Sequence, residues 1–287
     1  MLVWVVGKDG LVGQSMMKAL FDAVGSSRSQ ADVTNIKALE EFYKEYKPTH
    51  IVNCSAIVQV DRSENELASL ARKINVDGVQ NLAKIAKKNR VKLIHISTDY
   101  VFDGEKKDAY TEEDPTKAIN VYGQTKLIGE EKLFSTCPAA VLVRTASLFG
   151  YGKPGLIDSM VRLLQKNETC SFVTDQVSTP TFVEDLTQAI LSLLDQEGVF
   201  HFVNKGFCSR YELLTFVKEL MGKYHIPCKC THVQTKLQSD FPGVATRPHR
   251  SVLSTKKIEQ LLPFAIRTWQ DAVEEFFASQ WGKKRRL

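Results

Sequence analysis

Residues Leu2–Gly13 read LVWVVGKDGLVG, and this stretch decides the fold that we expect. A short continuous apolar run, Leu2–Val6, is followed at once by glycines at positions 7, 10 and 13, and then by a segment of helical character, Gln14–Phe21. A buried strand, a glycine turn and a helix in this order form the setting of the dinucleotide-binding fingerprint, although the spacing here is G-x2-G-x2-G. The sequence therefore predicts a dinucleotide-binding loop made of Gly7, Lys8, Asp9, Gly10, Leu11, Val12 and Gly13.

The rest of the first half alternates between strands and helices. Strands are predicted at Asp22–Val24, His50–Cys54, Val91–Ile96 and Ala139–Arg144, and one of the intervening helices at Glu64–Lys73. This alternation predicts an α/β fold, a Rossmann-type doubly wound parallel sheet with helices on both faces. After residue 145 the pattern is less regular, which predicts a smaller α/β substrate-binding lobe. We assign residues 1–150 with 179–205 to the NAD(P)-binding domain, and 151–178 with 206–287 to the lobe.

Composition narrows the class of protein. Of the 287 residues, 43% are hydrophobic and 25% charged, as in ordinary globular proteins. No apolar run approaches the roughly 20 residues that span a bilayer, and a strand that begins at Leu2 leaves no room for a signal peptide. The six scattered cysteines then indicate reduced thiols. We expect a cytoplasmic protein that binds neither membrane nor nucleic acid, and we interpret the basic stretch Lys283–Arg286 as a solvated terminus.

The residues after the second strand bear on the choice of cofactor. Folds that prefer NAD usually carry an acidic residue here, which holds the ribose 2′-hydroxyl. This chain has Gly25-Ser26-Ser27-Arg28-Ser29 instead. Hydroxyls and a guanidinium suit a 2′-phosphate, so the sequence favours NADPH over NADH, with Arg28 as the candidate phosphate ligand. An ordinary polar turn is the alternative interpretation.

A second motif, Tyr122-Gly123-Gln124-Thr125-Lys126, carries the candidate chemistry. A phenol and an ammonium at i and i+4 share one helix face, and the cation is expected to lower the phenol's pKa from its free value of about 10. Such a tyrosine can give a proton to a carbonyl oxygen, and Thr98 can donate a hydrogen bond to the same oxygen. On its own, the spacing fits a surface helix pair equally well.

Three stretches together resemble the extended short-chain dehydrogenase/reductases, and more closely the dTDP-4-dehydrorhamnose reductase (RmlD-like) family. They are Gly7–Gly13, Ser97–Gly104 (STDYVFDG) and Tyr122–Lys126, and shorter matches such as Arg247-Pro248 extend the similarity over nearly the whole chain. The resemblance implies a Rossmann domain that binds NAD(P)H and a lobe that holds a sugar nucleotide. It also implies reduction of a 4-keto-6-deoxy sugar, and we expect the protein to be a monomer or homodimer.

The resemblance assigns roles to individual residues. The implied catalytic residues are Thr98, Tyr122 and Lys126, with Lys126 also holding the nicotinamide ribose. Asp32 and Val33 would lie against the adenine, and the rest of the cofactor path would comprise Cys54, Ser55, Ala56 and Asn75. The implied substrate-binding residues are Tyr100, Phe102, Arg144 and Arg247. For Arg247 we expect a diphosphate contact, because a guanidinium matches phosphate; a basic surface loop is the alternative.

Three positions depart from the family pattern near the expected sugar pocket. Ser147 stands where many relatives carry tryptophan, Leu156 interrupts a usual Asn-Phe pair, and Ser178 replaces a glycine. These changes leave the reductase chemistry intact and leave the sugar open, so a reductase or epimerase of another sugar nucleotide stays an alternative. A different class also stays open: a non-catalytic NADP-binding regulatory subunit, as in the β subunit of methionine adenosyltransferase. The intact Thr98, Tyr122 and Lys126 set favours an enzyme.

We expect no bound metal. Some relatives bridge a dimer through magnesium with carboxylates on the first helix, where this chain has Ser15 and Met16. A second candidate cluster comprises His225, Cys228, Cys230 and His232. Its spacing does not match the usual zinc pattern, and we interpret it as a half-buried strand of the lobe.

Overall fold

The computed structural model describes residues 1–241 and 245–282, so that Lys283–Arg286 lies outside the described residues. In chain order the strands are β1 (Val3–Val6), β2 (Val24–Ser26), β3 (His50–Asn53), β4 (Lys92–Thr98), β5 (Val141–Thr145), β6 (Leu148–Phe149), β7 (Thr169–Val173), β8 (Val177–Ser178), β9 (Thr181–Phe182), β10 (Gly198–His201), β11 (Cys208–Ser209) and β12 (His232–Lys236). The α-helices are α1 (Leu11–Ala19), α2 (Ile36–Tyr46), α3 (Val60–Ser63), α4 (Ala68–Arg72), α5 (Val79–Asn89), α6 (Val121–Thr136), α7 (Leu156–Lys166), α8 (Val183–Ser192), α9 (Arg210–Lys223), α10 (Lys256–Glu259) and α11 (Trp269–Trp281).

Six strands form one parallel sheet in the order β10-β5-β4-β3-β1-β2. Strands β1, β3 and β5 are buried along their whole length, as expected for a parallel sheet covered by helices on both faces. The chain passes from β1 to β2 on one side and then to β3 on the other. At such a switch point a crevice opens between the carboxyl ends of the two central strands. The predicted Rossmann-type sheet is confirmed.

Apolar layers on the two faces hold the helices to the sheet. Helices α2 and α5 pack on one face, where Leu39 and Leu82 join the cluster that contains Trp4. Helices α1 and α8 pack on the other, where Met16 and Leu186 join the cluster that contains Val5. Successive strand residues point to opposite faces, which is why Trp4 and Val5 enter different layers. The short alternating apolar segments of the sequence are therefore sufficient to build both layers.

A further apolar cluster lies outside the sheet and is built on α7, α9 and α11. Its centre is aromatic: Phe149 stacks on Phe182 with ring centroids 5.3 Å apart, and Phe276 meets Phe149 edge-on at 5.8 Å. Three two-stranded ladders, β12-β7, β11-β8 and β6-β9, belong to this half of the chain. None of the helices within residues 1–241 and 245–282 is long and apolar enough to cross a membrane.

Two predicted elements were placed wrongly. The second strand is Val24–Ser26 and not Asp22–Val24, because its pairing with β1 runs from Val24 opposite Trp4 to Ser26 opposite Val6. The helix predicted over Glu64–Lys73 is a turn at residues 64–67 followed by one short helix, α4, and a π-helical turn at Lys73–Gly78, while α3 ends at Ser63, before the predicted helix begins. The Glu64 side chain accepts a hydrogen bond from the Val121 amide, 2.9 Å away, and so caps the start of α6.

The cysteine and histidine cluster is also placed differently from its prediction. Cys228 and Cys230 precede β12, and only His232 belongs to that strand, most of which is exposed. Cys230 is buried in the apolar cluster built on α7, α9 and α11, whereas Cys228 is exposed. Across residues 1–241 and 245–282, no group of three or more His, Cys, Asp or Glu side chains is arranged to hold a metal ion.

Candidate active site

The glycine loop turns tightly at the carboxyl end of β1. The amides of Gly7 and Lys8 both donate to the Ser26 carbonyl, at 2.9 and 3.1 Å, which ties the loop to β2. Gly7 has φ +79°, a conformation that favours glycine. A Cβ on Gly13 would lie 2.2 Å from the Gly7 carbonyl oxygen, so only glycine lets α1 pack this closely on the loop. No side chain caps the amides at the start of α1, which leaves a helix N-terminus open toward the crevice.

A crevice of about 280 Å³ opens beside this loop, at the switch point between β1 and β3. Its lining includes most of the residues expected to contact the cofactor: Gly7, Asp9, Gly10, Arg28, Asp32, Val33, Cys54, Ser55 and Ala56. Lys8, Leu11, Val12 and Gly13 do not line it, and the Lys8 side chain packs against Gly25 instead. The glycine backbone, the open helix end and the lining side chains together fit a dinucleotide.

Arg28 and Asp32 lie together at the outer end of the crevice. Arg28 Nε is 3.1 Å from Asp32 Oδ2, and two-thirds of the Arg28 side chain remains exposed, 67%. Burial works to raise the pKa of Asp32, but hydrogen bonds from Thr34 and Arg28 outweigh it and hold this pKa below its ordinary value. Asp32 therefore stays ionised and orients Arg28, whose exposed guanidinium is free to meet a ligand phosphate.

Asn75 does not line the crevice but supports its wall, because it is hydrogen-bonded to Ile57, which does line it. It is fully buried in the π-helical turn. Its side chain accepts from the Ile57 amide at 2.9 Å and donates to the Ile57 carbonyl at 3.1 Å. It also donates to Thr125 Oγ1 at 3.0 Å, and so joins the crevice wall to α6. A Cβ on Gly129 would come within 2.2 Å of the Asn75 carbonyl, which makes this a close helix contact.

Tyr122 lies at the first turn of α6, facing the carboxyl end of β4. Asn120 caps this helix, accepting from the Gly123 amide at 2.8 Å. A Cβ on Gly123 would lie 2.3 Å from the Tyr100 carbonyl, so this glycine allows the helix to approach the strand end. The Thr98 hydroxyl is close enough to the Tyr122 phenol to lower its pKa, and the Tyr100 ring meets the Tyr122 ring edge-on at 5.8 Å. The structure thus brings Thr98, Tyr100 and Tyr122 together.

The expected lowering of the Tyr122 pKa is not found. Burial raises the pKa of this phenol well above its ordinary value, and the nearby Thr98 hydroxyl opposes the rise only in part. Lys126 does not offset the burial, because its Nζ donates to the Ile96 carbonyl at 2.7 Å and lies 3.1 Å from His95 Nε2. A neutral phenol at physiological pH is a proton donor, which suits a site that protonates an oxygen.

Lys126 itself is almost completely buried, at 2% exposure. Burial lowers its pKa to about 8, although the neighbouring Glu130 and Cys54 act in the opposite direction. Burial likewise raises the pKa of the Cys54 thiol to about 12, so this crevice residue is a thiol and not a thiolate. The Lys126 side chain is thus placed one helical turn from Tyr122 as predicted, but it points toward β4.

A hydrogen-bonded group that was not singled out from the sequence links the strand end to the lobe. Asp99 is buried and accepts from Thr98 Oγ1 at 3.1 Å, from Ser178 Oγ at 3.2 Å and from Ser251 Oγ. Burial raises its pKa, and these hydrogen bonds and the charge of Arg210 oppose the rise. Ser147 Oγ lies 3.4 Å from Ser178 Oγ, so the serines that depart from the family pattern belong to this group. The position of Asp99 between Thr98 and Tyr100 was the signal available in the sequence.

Arg247 lies at the open side of Tyr100. Its Nη2 donates to Asp61 at 2.7 Å and its Nη1 to the Ala245 carbonyl at 3.0 Å. Burial raises the pKa of the Tyr100 hydroxyl, and the nearby charges of Arg210 and Arg247 oppose the rise. Two guanidinium groups therefore converge beside the tyrosine pair, an arrangement that suits an anionic ligand.

Two expected substrate ligands lie inside the protein instead. Phe102 is fully buried and stacks on Tyr110, with ring centroids 4.2 Å apart. The Arg144 guanidinium lies over Phe102, 5.1 Å from the ring centroid, and is bound by the Glu130 carboxylate. Both side chains are buried and have their partners in the core, which argues against the predicted contacts of Phe102 and Arg144 with substrate.

The glycine loop, the parallel sheet and the Thr98, Tyr122 and Lys126 side chains define a dinucleotide-binding protein of the short-chain dehydrogenase/reductase class. Within that class the chain belongs to the RmlD family, because the family model described as the RmlD substrate binding domain matches residues 1–281. The resemblance found in the sequence is thereby confirmed.

Individual relatives are similar over almost their whole length. A dTDP-4-dehydrorhamnose reductase of Escherichia coli (strain K12) is 32% identical, with 96% of both chains covered. A dTDP-4-keto-6-deoxy-D-glucose reductase of Streptomyces niveus is also 32% identical, again with 96% of both chains covered. A crystal structure of dTDP-4-dehydrorhamnose reductase from Bacillus anthracis in complex with NADP has a TM-score of 0.90 and 29% identity, covering 97% of this chain and 99% of that one.

Proposed function

We propose that this chain is an NADPH-dependent reductase of a nucleotide-linked 4-keto-6-deoxy sugar, dTDP-4-dehydrorhamnose being the first candidate. The observation that carries the proposal is the position of the Tyr122 phenol near the Thr98 hydroxyl at the end of β4, next to β3, whose end lines the crevice that fits a dinucleotide. The names of its relatives and the NADP found in one of them support the same substrate and cofactor classes.

The residues divide the chemistry between them. Bound NADPH would supply the hydride that adds to C4 of the sugar. Tyr122 gives its proton to the ketone oxygen, so that the substrate gains one hydride and one proton and becomes an alcohol. The Thr98 hydroxyl donates to Asp99 in the ligand-free structure; turned toward the substrate, it would donate to the same oxygen and stabilise the negative charge that develops there. The Tyr122 phenol is held neutral by burial, so the proton is in place before the reaction begins.

Other side chains bind and orient. Arg28, fixed by Asp32, would contact a ribose 2′-phosphate, which is the basis of the preference for NADPH over NADH. Arg247 and Arg210, beside Tyr100, would contact the diphosphate of the sugar nucleotide. We further propose a cytoplasmic enzyme, in agreement with six unpaired cysteines, acting as a monomer or homodimer.

The test is turnover by the purified protein. With NADPH and dTDP-4-dehydrorhamnose we expect loss of reduced-nicotinamide absorbance and a product heavier by two hydrogens. Tyr122→Phe should lower kcat at least about 100-fold, because the proton donor is removed. Tyr46→Phe, on the exposed face of α2, is the matched control and should retain full activity. No oxidation of NADPH with any 4-keto sugar nucleotide would overturn the enzyme assignment and favour a regulatory NADP-binding subunit.

A second candidate is a reductase of another sugar nucleotide. It is favoured by the hydrogen-bonded set of Ser147, Ser178 and Asp99. The family pattern has tryptophan and glycine at the two serine positions. A panel of dTDP-, UDP- and GDP-linked 4-keto sugars distinguishes the two. The highest kcat/KM identifies the substrate. NMR of the product then gives the configuration at the new alcohol carbon, C4.

A further inference from the structure

Behind Lys126, a chain of buried polar groups runs from β3 through β4 to the amine. Asn53, His95 and Lys126 are each no more than 2% exposed. Asn53 Nδ2 lies 3.0 Å from His95 Nδ1, and His95 Nε2 lies 3.1 Å from Lys126 Nζ. This series of polar groups ends at the Ile96 carbonyl, 2.7 Å from Lys126 Nζ. Nothing in the proton transfer proposed above uses His95, yet its ring touches the candidate catalytic lysine.

The donors and acceptors of this chain can be assigned from its fixed end. The Ser55 amide donates to Asn53 Oδ1 at 3.0 Å, and the Ser55 hydroxyl donates to the same oxygen at 2.6 Å. A backbone amide is only ever a donor, so Oδ1 is the acceptor and Nδ2 must donate to His95 Nδ1. The Asn53 carbonyl also faces the ring, but it is Nδ2 that has hydrogen-bond geometry with Nδ1.

The assignment then passes through the ring to the lysine. Burial holds the pKa of His95 well below its ordinary value, so the ring is neutral and carries one proton. If Nδ1 accepts, that proton is on Nε2 and points at Lys126 Nζ. An ammonium has no lone pair to receive it, whereas an uncharged amine has one and can still donate to the Ile96 carbonyl.

We propose that His95 is a positioning residue for Lys126, presenting Nε2–H to the amine and thereby favouring its uncharged form in the cofactor-free protein. Three influences act on the charge of Lys126: burial opposes the ammonium, Glu130 on α6 favours it, and Cys54 after β3 is an uncharged thiol. Through Lys126, His95 adjusts the charge of a side chain one helical turn from Tyr122. This consequence for catalysis rests on the proposed function; the proton arrangement itself does not.

The direct test is NMR on the cofactor-free protein. Ring 15N shifts should report the Nε2–H tautomer of His95 at pH 9, and the 13Cε signal of Lys126 should titrate with a midpoint at a pKa of about 8. The Lys126 signal is assigned from its loss in Lys126→Met. An Nδ1–H tautomer at pH 9, or a lysine midpoint at its ordinary value, overturns the proposal.

Two variants should shift the titration midpoint of Lys126 in a predicted direction. Asn53→Asp keeps the acceptor for Ser55 but replaces the amide donor with a carboxylate, which should switch His95 to the Nδ1–H tautomer. Nε2 then accepts from an ammonium, and the Lys126 midpoint should rise by about one pH unit or more. His95→Gln offers a carbonyl oxygen to the ammonium and should raise the midpoint similarly. His232→Gln, at an exposed histidine, is the control and should change nothing.

An activity measurement separates this proposal from the proposed function. If the enzyme turns over, the limb of its pH–kcat profile that reports Lys126 should move upward in His95→Gln by the same interval as the NMR midpoint. A merely structural role would lower kcat at every pH without moving the limb. If no turnover is found, the proposed function fails while the NMR results still decide the role of His95.

Discussion

The Arg144 guanidinium meets the Glu130 carboxylate inside the protein, with Nη2 2.7 Å from Oε2 and Nε within 3.2 Å of both carboxylate oxygens. Both side chains are less than a tenth exposed. The pair fixes α6, which carries Tyr122 and Lys126, to β5 in the sheet. A residue that was expected to bind substrate is therefore part of the support of the active-site helix.

This relationship predicts the outcome of a double-mutant cycle. Arg144→Leu should lower the free energy of unfolding by about 3–5 kcal/mol, because it leaves the Glu130 carboxylate buried without its partner. The double variant Glu130→Leu with Arg144→Leu should lose less, since no charge is then stranded. Urea unfolding of the wild type, both single variants and the double variant measures the coupling. Strictly additive losses would contradict the ion-pair account.

Thr98 gives a second prediction, for the rate of the proposed reaction. Thr98→Val keeps the side-chain shape but removes the hydroxyl near Tyr122, and we expect kcat to fall about 100- to 1,000-fold. Thr98→Ser keeps the hydroxyl and should stay within about tenfold of the wild type. Steady-state kinetics checks both, with thermal unfolding to show that both variants fold. Equal losses in the two variants would assign Thr98 a packing role.

Arg28 gives a third prediction, for the choice of cofactor. Arg28→Ala should raise the KM for NADPH about 10- to 100-fold, the loss expected for a hydrogen bond to a charged group. The KM for NADH, which has no 2′-phosphate, should stay nearly constant. Arg162→Ala, at an exposed arginine on α7, is the control. An equal rise in both KM values would mean that Arg28 supports the crevice without contacting the 2′-phosphate.

The features that the sequence predicts well are local. The glycine loop and the strands follow from short runs of residues, since a buried strand and a tight turn are each specified within a few positions. The bounds of β2 were predicted two residues too early. They depend on pairing with β1, which no local pattern contains.

The features that could not be predicted depend on partners distant in the chain. Arg144 is neutralised by Glu130 and covers Phe102, and Phe102 is covered in turn by Tyr110. The Tyr122 pKa was expected to fall because Lys126 is close in sequence, but its direction is set by burial, a property of the whole fold. Spacing alone thus identifies which groups can meet, while their charge depends on what surrounds them.

Asp114 gives a last prediction, for stability against pH. Its carboxylate accepts from Lys106 Nζ at 2.6 Å, from the Thr111 amide at 2.6 Å and from Thr111 Oγ1 at 2.9 Å. The hydrogen bond from Lys106, followed by the one from the Thr111 amide, lowers the pKa of Asp114 to about 2. An aspartate in the unfolded chain has a pKa of about 3.9, so the folded protein holds the ionised form more tightly.

The sign of the effect follows from this difference. The stabilisation is fully present above the unfolded pKa, and it is lost as the pH falls through the interval from about 4 to about 2. Because this ion pair is near the surface, we expect Asp114→Asn to lower the free energy of unfolding at pH 7 by only about 1 kcal/mol. Urea unfolding between pH 3 and pH 7 should show the gap between wild type and variant narrowing toward the acidic end. Asp108→Asn, at an exposed neighbour, should show no such gap, and a gap that stayed constant down to pH 3 would mean that the Asp114 charge is not what stabilises this loop.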